Sequence, residues 1–294
     1  MSTLFDTNSM KINRTTPDKH KYFAPLMHIA RPPKVLFYSG ELPDGRRPSV
    51  AIVGTRRPTK YGQEVTQMLA SGLAQKGIVI ISGLALGVDA IAHQAALEAG
   101  GTTIAILGNG LSDIYPATNR TLGQRMMKSG GALVSEYEPD VAARGYHFLE
   151  RNRIVSGLAD AVIITEAAAR SGTLNTAMHA LEQGKEVFVV PGNITSPLSA
   201  GCNSLLRQGA TPVTSVEDIL AVVAPDHIAG QTSLPLGNTP EETTIIQLIQ
   251  SGIRDGDELQ RSSDLSANDF ASTLTMLELQ GVVRALGANQ WALR

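Results

Sequence analysis

Two arginines close a short apolar run in Gly54-Thr55-Arg56-Arg57, and Lys60 follows at the start of a helical stretch. Guanidinium forks match phosphate oxygens and helix-start N–H groups favour anions, so this segment reads as a phosphate grip, although a solvated turn would carry the same residues. Four further segments offer related chemistry. Ser82-Gly83-Leu84-Ala85-Leu86-Gly87-Val88-Asp89 delivers a second glycine-rich loop to a helix start, with His93 four residues beyond Asp89. That spacing suits acid–base work as well as a structural contact, and the structural role is the one expected. Gly108-Asn109-Gly110 permits left-handed turns over a ligand. In Phe148-Leu149-Glu150-Arg151-Asn152-Arg153 the arginines are two apart and diverge on a helix, so one should face a pocket and the other serve structure. Phe148 has the ring needed to stack on an unpaired base, or to fill a core. Arg170-Ser171-Gly172-Thr173 opens another helix with capping side chains and free N–H groups, again suited to phosphate.

The elements that must position these segments are legible as apolar runs. Residues 50–53, 78–81, 103–107, 132–134, 161–164 and 187–190 are mostly β-branched and nearly continuous in hydrophobicity, as strands buried on both faces of a parallel sheet must be. Helical stretches such as Gly62–Gln75 and Leu86–Ala99 lie between them and stop before Gly77 and Gly100. The alternation predicts an α/β domain over residues 49–222, with a doubly wound, mostly parallel, extended Rossmann-like sheet whose loops gather at one edge. Residues 1–48, with Arg31-Pro32-Pro33 and Leu42-Pro43-Asp44-Gly45, read as an N-terminal arm. Residues 223–239 are rich in Pro, Gly, Ser and Thr and read as a linker. In residues 240–294, helical patterns over Glu241–Gln250, Asp257–Ser262 and Ala267–Leu279 precede two short strand-like runs, which predicts a small winged-helix-like domain.

Composition removes several classes of function. The chain has 25 Lys and Arg against 27 Asp and Glu, so any anion binding must come from a local patch. Cys202 is the one cysteine, which excludes an internal disulfide framework and a cysteine-cluster metal site. The six histidines show no metal-ligand spacing. Neither a Gly-x-Ser-x-Gly elbow nor a Gly-x-x-x-x-Gly-Lys-Ser/Thr loop is present. Neither a zinc hydrolase nor a P-loop ATPase is therefore supported, and no metal or cofactor is expected. Apolar runs such as Ala161-Val162-Ile163-Ile164 are too short to cross a bilayer, and Met-Ser-Thr-Leu-Phe-Asp carries no secretory signal, so a cytoplasmic location is expected.

Taken in order, Gly-Thr-Arg at 54–56, Ser-Gly-Leu-Ala-x-Gly-Val-Asp-x-x-Ala-His at 82–93, Leu-Gly-x-Gly at 107–110, Tyr-Pro-x-x-Asn at 115–119, Ser-Glu-Tyr at 135–137, Phe-x-x-Arg-Asn-Arg-Ile at 148–154, Glu-Ala-x-x-x-Ser-Gly-Thr at 166–173 and Val-Pro-Gly-Asn at 190–193 resemble the DNA-processing protein A (DprA/Smf) family. The resemblance covers about residues 50–220, and the C-terminal segment resembles the winged helix many members carry. It implies a non-enzymatic, typically homodimeric protein that binds and protects single-stranded DNA and helps load RecA recombinase in natural transformation or recombination. By the same resemblance Arg56 would grip a phosphate, and loops at Gly83, Asn109 and Ser171-Gly172-Thr173 would line the pocket. Phe148, Arg151 and Arg153 would shape a basic groove. With Gly54, Arg57, Lys60, Asn152 and Arg170 these make up the expected DNA-binding set. Two features depart from the family: Leu149 and Glu150 stand where Phe-Pro-x-Arg-Asn-Arg is usual, placing a carboxylate beside the groove, and residues 1–48 are too few for the helical bundle of some relatives.

Two other readings compete. Phosphoribohydrolases with this kind of Rossmann fold resemble one another through Pro-Gly-Gly-x-Gly-Thr-x-x-Glu, but Thr176 stands where that catalytic glutamate would be. Alternatively the C-terminal module alone would bind duplex DNA. Its Arg254, Arg261 and Arg284 are outnumbered by carboxylates, so a protein contact suits it better than phosphate.

Overall fold

The structure is a computed structural model that describes residues 11–225, 239–287 and 289–293. The chain divides into two compact units, Met1–Pro225 and Asp226–Arg294. Most of the expected linker at 223–239 lies outside the described residues.

The six β-branched runs all form strands: β3 (Ser49–Val53), β4 (Val79–Ser82), β5 (Thr103–Leu107), β6 (Ala132–Ser135), β7 (Ala161–Ile164) and β8 (Glu186–Val189). Together with β1 (Asn13–Thr15), β2 (Leu36–Gly40) and β9 (Thr211–Pro212) they make one nine-stranded sheet in the order β1-β2-β6-β5-β4-β3-β7-β8-β9. Strands β3 to β9 pair in parallel, while β2 runs antiparallel to β6 and β1 antiparallel to β2.

The antiparallel strands correct the reading of residues 1–48 as an arm. Leu36 and Phe37 are buried in β2, and the 3-10 segment Lys21–His28 sends Tyr22, Phe23 and Leu26 into the core with no exposed surface. Pairing β2 onto β6 satisfies an edge that would otherwise present unpaired backbone groups. Short elements set among prolines lack the long periodicity that marks β3 to β8.

Because strand side chains alternate, each central strand feeds two cores. Val53, Ile81, Ile106, Val134 and Ile164 meet the 3-10 segment and α4 (Gly145–Leu158) through Leu26, Ile154 and Leu158. On the other face Ala105, Leu107 and Leu133 meet Leu84 and Met126, the latter from α3 (Arg120–Lys128). Cys202 is buried, which pushes its thiol up to about 11 and leaves it inert.

Topology creates one crevice. From β3 the chain builds β4, β5 and β6 to one side, through α1 (Lys60–Gln75) and α2 (Val88–Glu98), then returns through α4 to β7 on the other flank of β3. The loops after β3 and β7 therefore diverge at the C-terminal ends of adjacent strands, the switch point where open α/β sheets take ligands. The chain continues as α5 (Gly172–Glu182), α6 (Ala200–Arg207) and α7 (Val216–Val223).

The second unit has α8 (Pro240–Gln250), α9 (Gly256–Ser263) and α10 (Ala267–Leu279), then a hairpin of β10 (Val283–Gly287) and β11 (Gln290–Leu293). Thr239, Asp255 and Ser266 cap the three helices with their side-chain oxygens. Ile245, Ile246, Leu259, Phe270, Leu277 and Val283 form its own core. Three helices followed by a two-stranded wing is the winged-helix arrangement expected.

Candidate functional site

A cavity of about 360 Å³ fills the switch point. The loops after β3 and β7 and the first turns of α4 and α5 enclose it. Gly54, Arg56, Phe148, Arg151, Asn152 and Arg170 border it, together with Ser171, Gly172 and Thr173. Arg57, Lys60, Gly83, Asn109 and Arg153, also expected there, do not.

The α5 side presents an uncovered helix start. Ser171 Oγ accepts the Thr173 N–H at 3.2 Å and donates to Thr173 Oγ1 at 3.0 Å, which sets the first turn. A Cβ on Gly172 would meet only Leu149, at an ordinary 3.7 Å, so this helix start opens to the cavity. Arg170 is exposed beside it. Asn152 Nδ2 donates to Asn175 Oδ1 at 3.3 Å and so ties α4 to α5.

The rim opposite is aromatic. The Arg56 guanidinium lies 5.6 Å from the Phe148 ring centroid, and the Tyr115 ring is 5.7 Å from the same centroid. Phe148 is half-buried at the cavity edge, so it is not a core residue. Gly108 makes its seat: a Cβ there would come 2.8 Å from Phe148 Cδ1. Tyr115, 47% exposed, stands beside Phe148 but lies outside the expected DNA-binding set, although the Tyr-Pro-x-x-Asn motif contains it. That motif was its one signal in the sequence, because only folding sets the loop after β5 beside α4.

Arg151 supplies the floor. It is 4% exposed and its Nη1 donates to Ile106 O. The guanidinium occupies a slot over Gly83, where a Cβ would sit 1.7 Å from Nη1. Gly83 thus acts by making room for Arg151 rather than by touching a ligand. Asp89 borders the cavity beside it, and its Oδ2 accepts the Gly83 N–H at 3.0 Å and the Ala85 N–H at 3.4 Å. Burial pushes the Asp89 carboxyl up, against the Arg151 guanidinium and those two N–H groups.

Arg153 faces the other way, as its spacing from Arg151 requires, and is corrected from the expected groove set. It grips Glu136 with both Nη atoms at 2.7 and 2.6 Å and donates from Nε to Arg31 O at 2.9 Å, anchoring α4 to residues of the N-terminal region. Glu150 is likewise turned from the cavity and accepts the Tyr137 hydroxyl at 3.0 Å. The departure at Glu150 therefore puts no carboxylate in the pocket.

Two of the loops expected to hold phosphate are filled by the chain's own carboxylates. Asp89 takes the amides of the β4–α2 loop. Glu166, 2% exposed, accepts the Thr59 N–H and the Thr59 hydroxyl, both at 2.8 Å, at the start of α1. Lys60 and Arg57 consequently lie on exposed surface outside the cavity. Asn109 is corrected as well: it is buried, and its Nδ2 donates to Gly110 O at 2.8 Å and Asp113 O at 2.7 Å, closing its own turn.

Asp89 and His93 form no acid–base pair. His93 is fully buried, with Nδ1 2.6 Å from Thr103 Oγ1, whose hydroxyl donates to Ile80 O. Nδ1 must then be the protonated nitrogen and donate to Thr103. Burial, aided by the Arg151 charge, holds His93 down to about 3. An unfolded histidine takes its proton near pH 6.5. Between those values the unfolded chain binds the extra proton, so this contribution is complete above about pH 6.5 and is lost as pH falls toward 3. Urea midpoints of the wild type and His93→Gln should therefore converge on acidification, by up to about 1.4 kcal/mol per pH unit. A constant gap from pH 7 to pH 4 would contradict the assignment.

A doubly wound sheet with arginines, an open helix start and a rim aromatic at its switch point defines a Rossmann-like domain, here joined to a winged-helix unit. Among the described residues no cluster of His, Cys, Asp or Glu could hold a metal ion, and no helix is long and apolar enough to cross a membrane. Residues 13–224 match the DNA recombination-mediator protein A family and residues 229–289 the DprA winged helix domain. The chain belongs to the DNA processing protein A (DprA/Smf) family. It is 45% identical over 205 residues to Protein Smf of Escherichia coli, covering 69% of this chain and 55% of that protein. It is 44% identical to DNA processing protein DprA of Bacillus subtilis, covering 66% and 65%. The match thus spans between about half and two thirds of those relatives. Among solved structures, DNA processing protein A of Streptococcus pneumoniae aligns with a TM-score of 0.67 at 41% identity, over 72% of this chain and 74% of that one. The Helicobacter pylori protein, whose structure was described for its unique single-stranded DNA binding mode, aligns with a TM-score of 0.66 at 36% identity, over 74% and 98%.

Proposed function

We propose that this chain binds single-stranded DNA at the switch-point cavity, protects it and hands it to RecA recombinase during transformation or recombination, as a homodimer and without covalent chemistry on the strand. The observation that carries the reading is the pairing of Arg56 with Phe148 at the mouth of a cavity floored by Arg151. A phosphate fits among Arg56, Arg170 and the α5 start, while an unpaired base can stack at Phe148. Bases in a duplex are already stacked and paired, so they do not offer that face. The cavity concentrates positive charge locally, which reconciles anion binding with a formal net charge of −2. Hydrolysis of small nucleotides is the weaker reading, because Thr176 borders the cavity where a catalytic carboxylate would be needed and Asp89 already serves backbone amides.

Titration of labelled oligonucleotides tests the proposal. The chain should prefer single strands to duplex. Arg56→Ala should weaken binding by about tenfold, as expected for a charged hydrogen bond, and reduce the salt slope by about one. Equal affinity for both DNA forms, or an Arg56→Ala variant that binds like the wild type, would sink it.

A further inference from the structure

In a helix-turn-helix the second helix reads DNA, and α10 occupies that place in the winged-helix unit. Its chemistry is wrong for the task. Residues 267–279 contain no Lys or Arg and carry Asp269 and Glu278. The exposed hydroxyls are spent within the helix: Ser272 donates to Asn268 O and Thr275 to Ala271 O. Across the described residues of the unit three arginines stand against eight carboxylates, a balance that repels a polyanion.

The same helix shows apolar surface that its core does not use. Met276 is 52% exposed and Leu279 78%, three residues apart and so neighbours on one face. Leu286 on β10 is 48% exposed, and the exposed Glu278 lies next to Leu279. We propose that this face of α10 docks a protein partner through a basic amphipathic helix, whose apolar stripe covers Met276 and Leu279 and whose lysines or arginines meet Glu278 and the acidic charge of the unit. Charge complementarity selects this occupant: an acidic segment would be repelled by the unit's excess of carboxylates, and a neutral apolar one would leave Glu278 unmatched. The proposal does not depend on the switch-point cavity.

The test uses the full chain and a synthetic 18-residue helix with leucines on one face and lysines elsewhere. Its affinity should fall steeply between low and high salt. Met276→Ser with Leu279→Ser should weaken it by at least about fivefold, and Glu278→Lys should also weaken it, with thermal melting and single-stranded DNA binding unchanged in both variants. Because all three side chains are exposed, neither variant should compromise folding. Unchanged peptide affinity in both variants would overturn the proposal. So would equal binding of a peptide with glutamate in place of lysine, or duplex DNA binding that is lost with Met276 and Leu279.

Discussion

Replacing Arg151 by Met should lower the stability of the α/β unit by about 1–3 kcal/mol, the cost of leaving buried polar groups without their charged neighbour. Methionine keeps most of the apolar stem but removes the donor to Ile106 O and the positive charge beside Asp89, which is 7% exposed. Gly83→Ala should reach the same state by another route. Its new Cβ would overlap Arg151 Nη1 at 1.7 Å and drive the guanidinium from its slot. Asp89→Asn added to Arg151→Met should recover part of the loss, because the carboxylate left without its counter-charge is then neutral. Urea unfolding followed by far-UV circular dichroism measures this. Trp291, the one tryptophan, lies in the winged-helix unit, so its fluorescence provides an internal control that should not change. An Arg151→Met variant within 1 kcal/mol of the wild type would show that the floor is not held by this charge.

Phe148→Ala should cost about 1–3 kcal/mol of single-stranded DNA binding with little change in its salt dependence, because it removes a stacking surface and no charge. Arg56→Ala should do the reverse, altering the salt slope. The two losses should not add: the guanidinium lies over the ring, so removing either side chain also disturbs the other. Phe148→Tyr should retain most of the affinity. Anisotropy titrations at two salt concentrations separate these effects. If Phe148→Ala binds single strands as the wild type does, the ring neither stacks on a base nor positions Arg56.

How much of this was legible in the sequence depended on whether the signal was local. The six β-branched runs were readable because strands buried on both faces carry few polar residues and so read as nearly continuous apolar runs. The third helix of the winged unit was readable to the residue, at Ala267–Leu279, because Ser266 and Asp269 mark its start. The strand Leu36–Gly40 was not, since it is short and follows a proline pair, and its pairing with β6 joins segments about a hundred residues apart. In the site, residue types were readable and directions were not. Arg151 and Arg153 are both arginines on one helix, yet one floors the cavity and the other holds Glu136.

The sequence by itself determined a parallel α/β sheet with glycine-rich loops at strand ends, several helix starts able to receive anions, and a separate helical module. Those properties follow from side-chain periodicity and backbone freedom within about fifteen residues. Only the tertiary structure decided which helix starts remain open. Glu166 fills the start of α1 from 107 residues away, and Asp89 fills the β4–α2 loop because Arg151 lies across Gly83 beside it. Whether an amide meets a carboxylate of its own chain or a ligand depends on such distant partners, which no local pattern encodes.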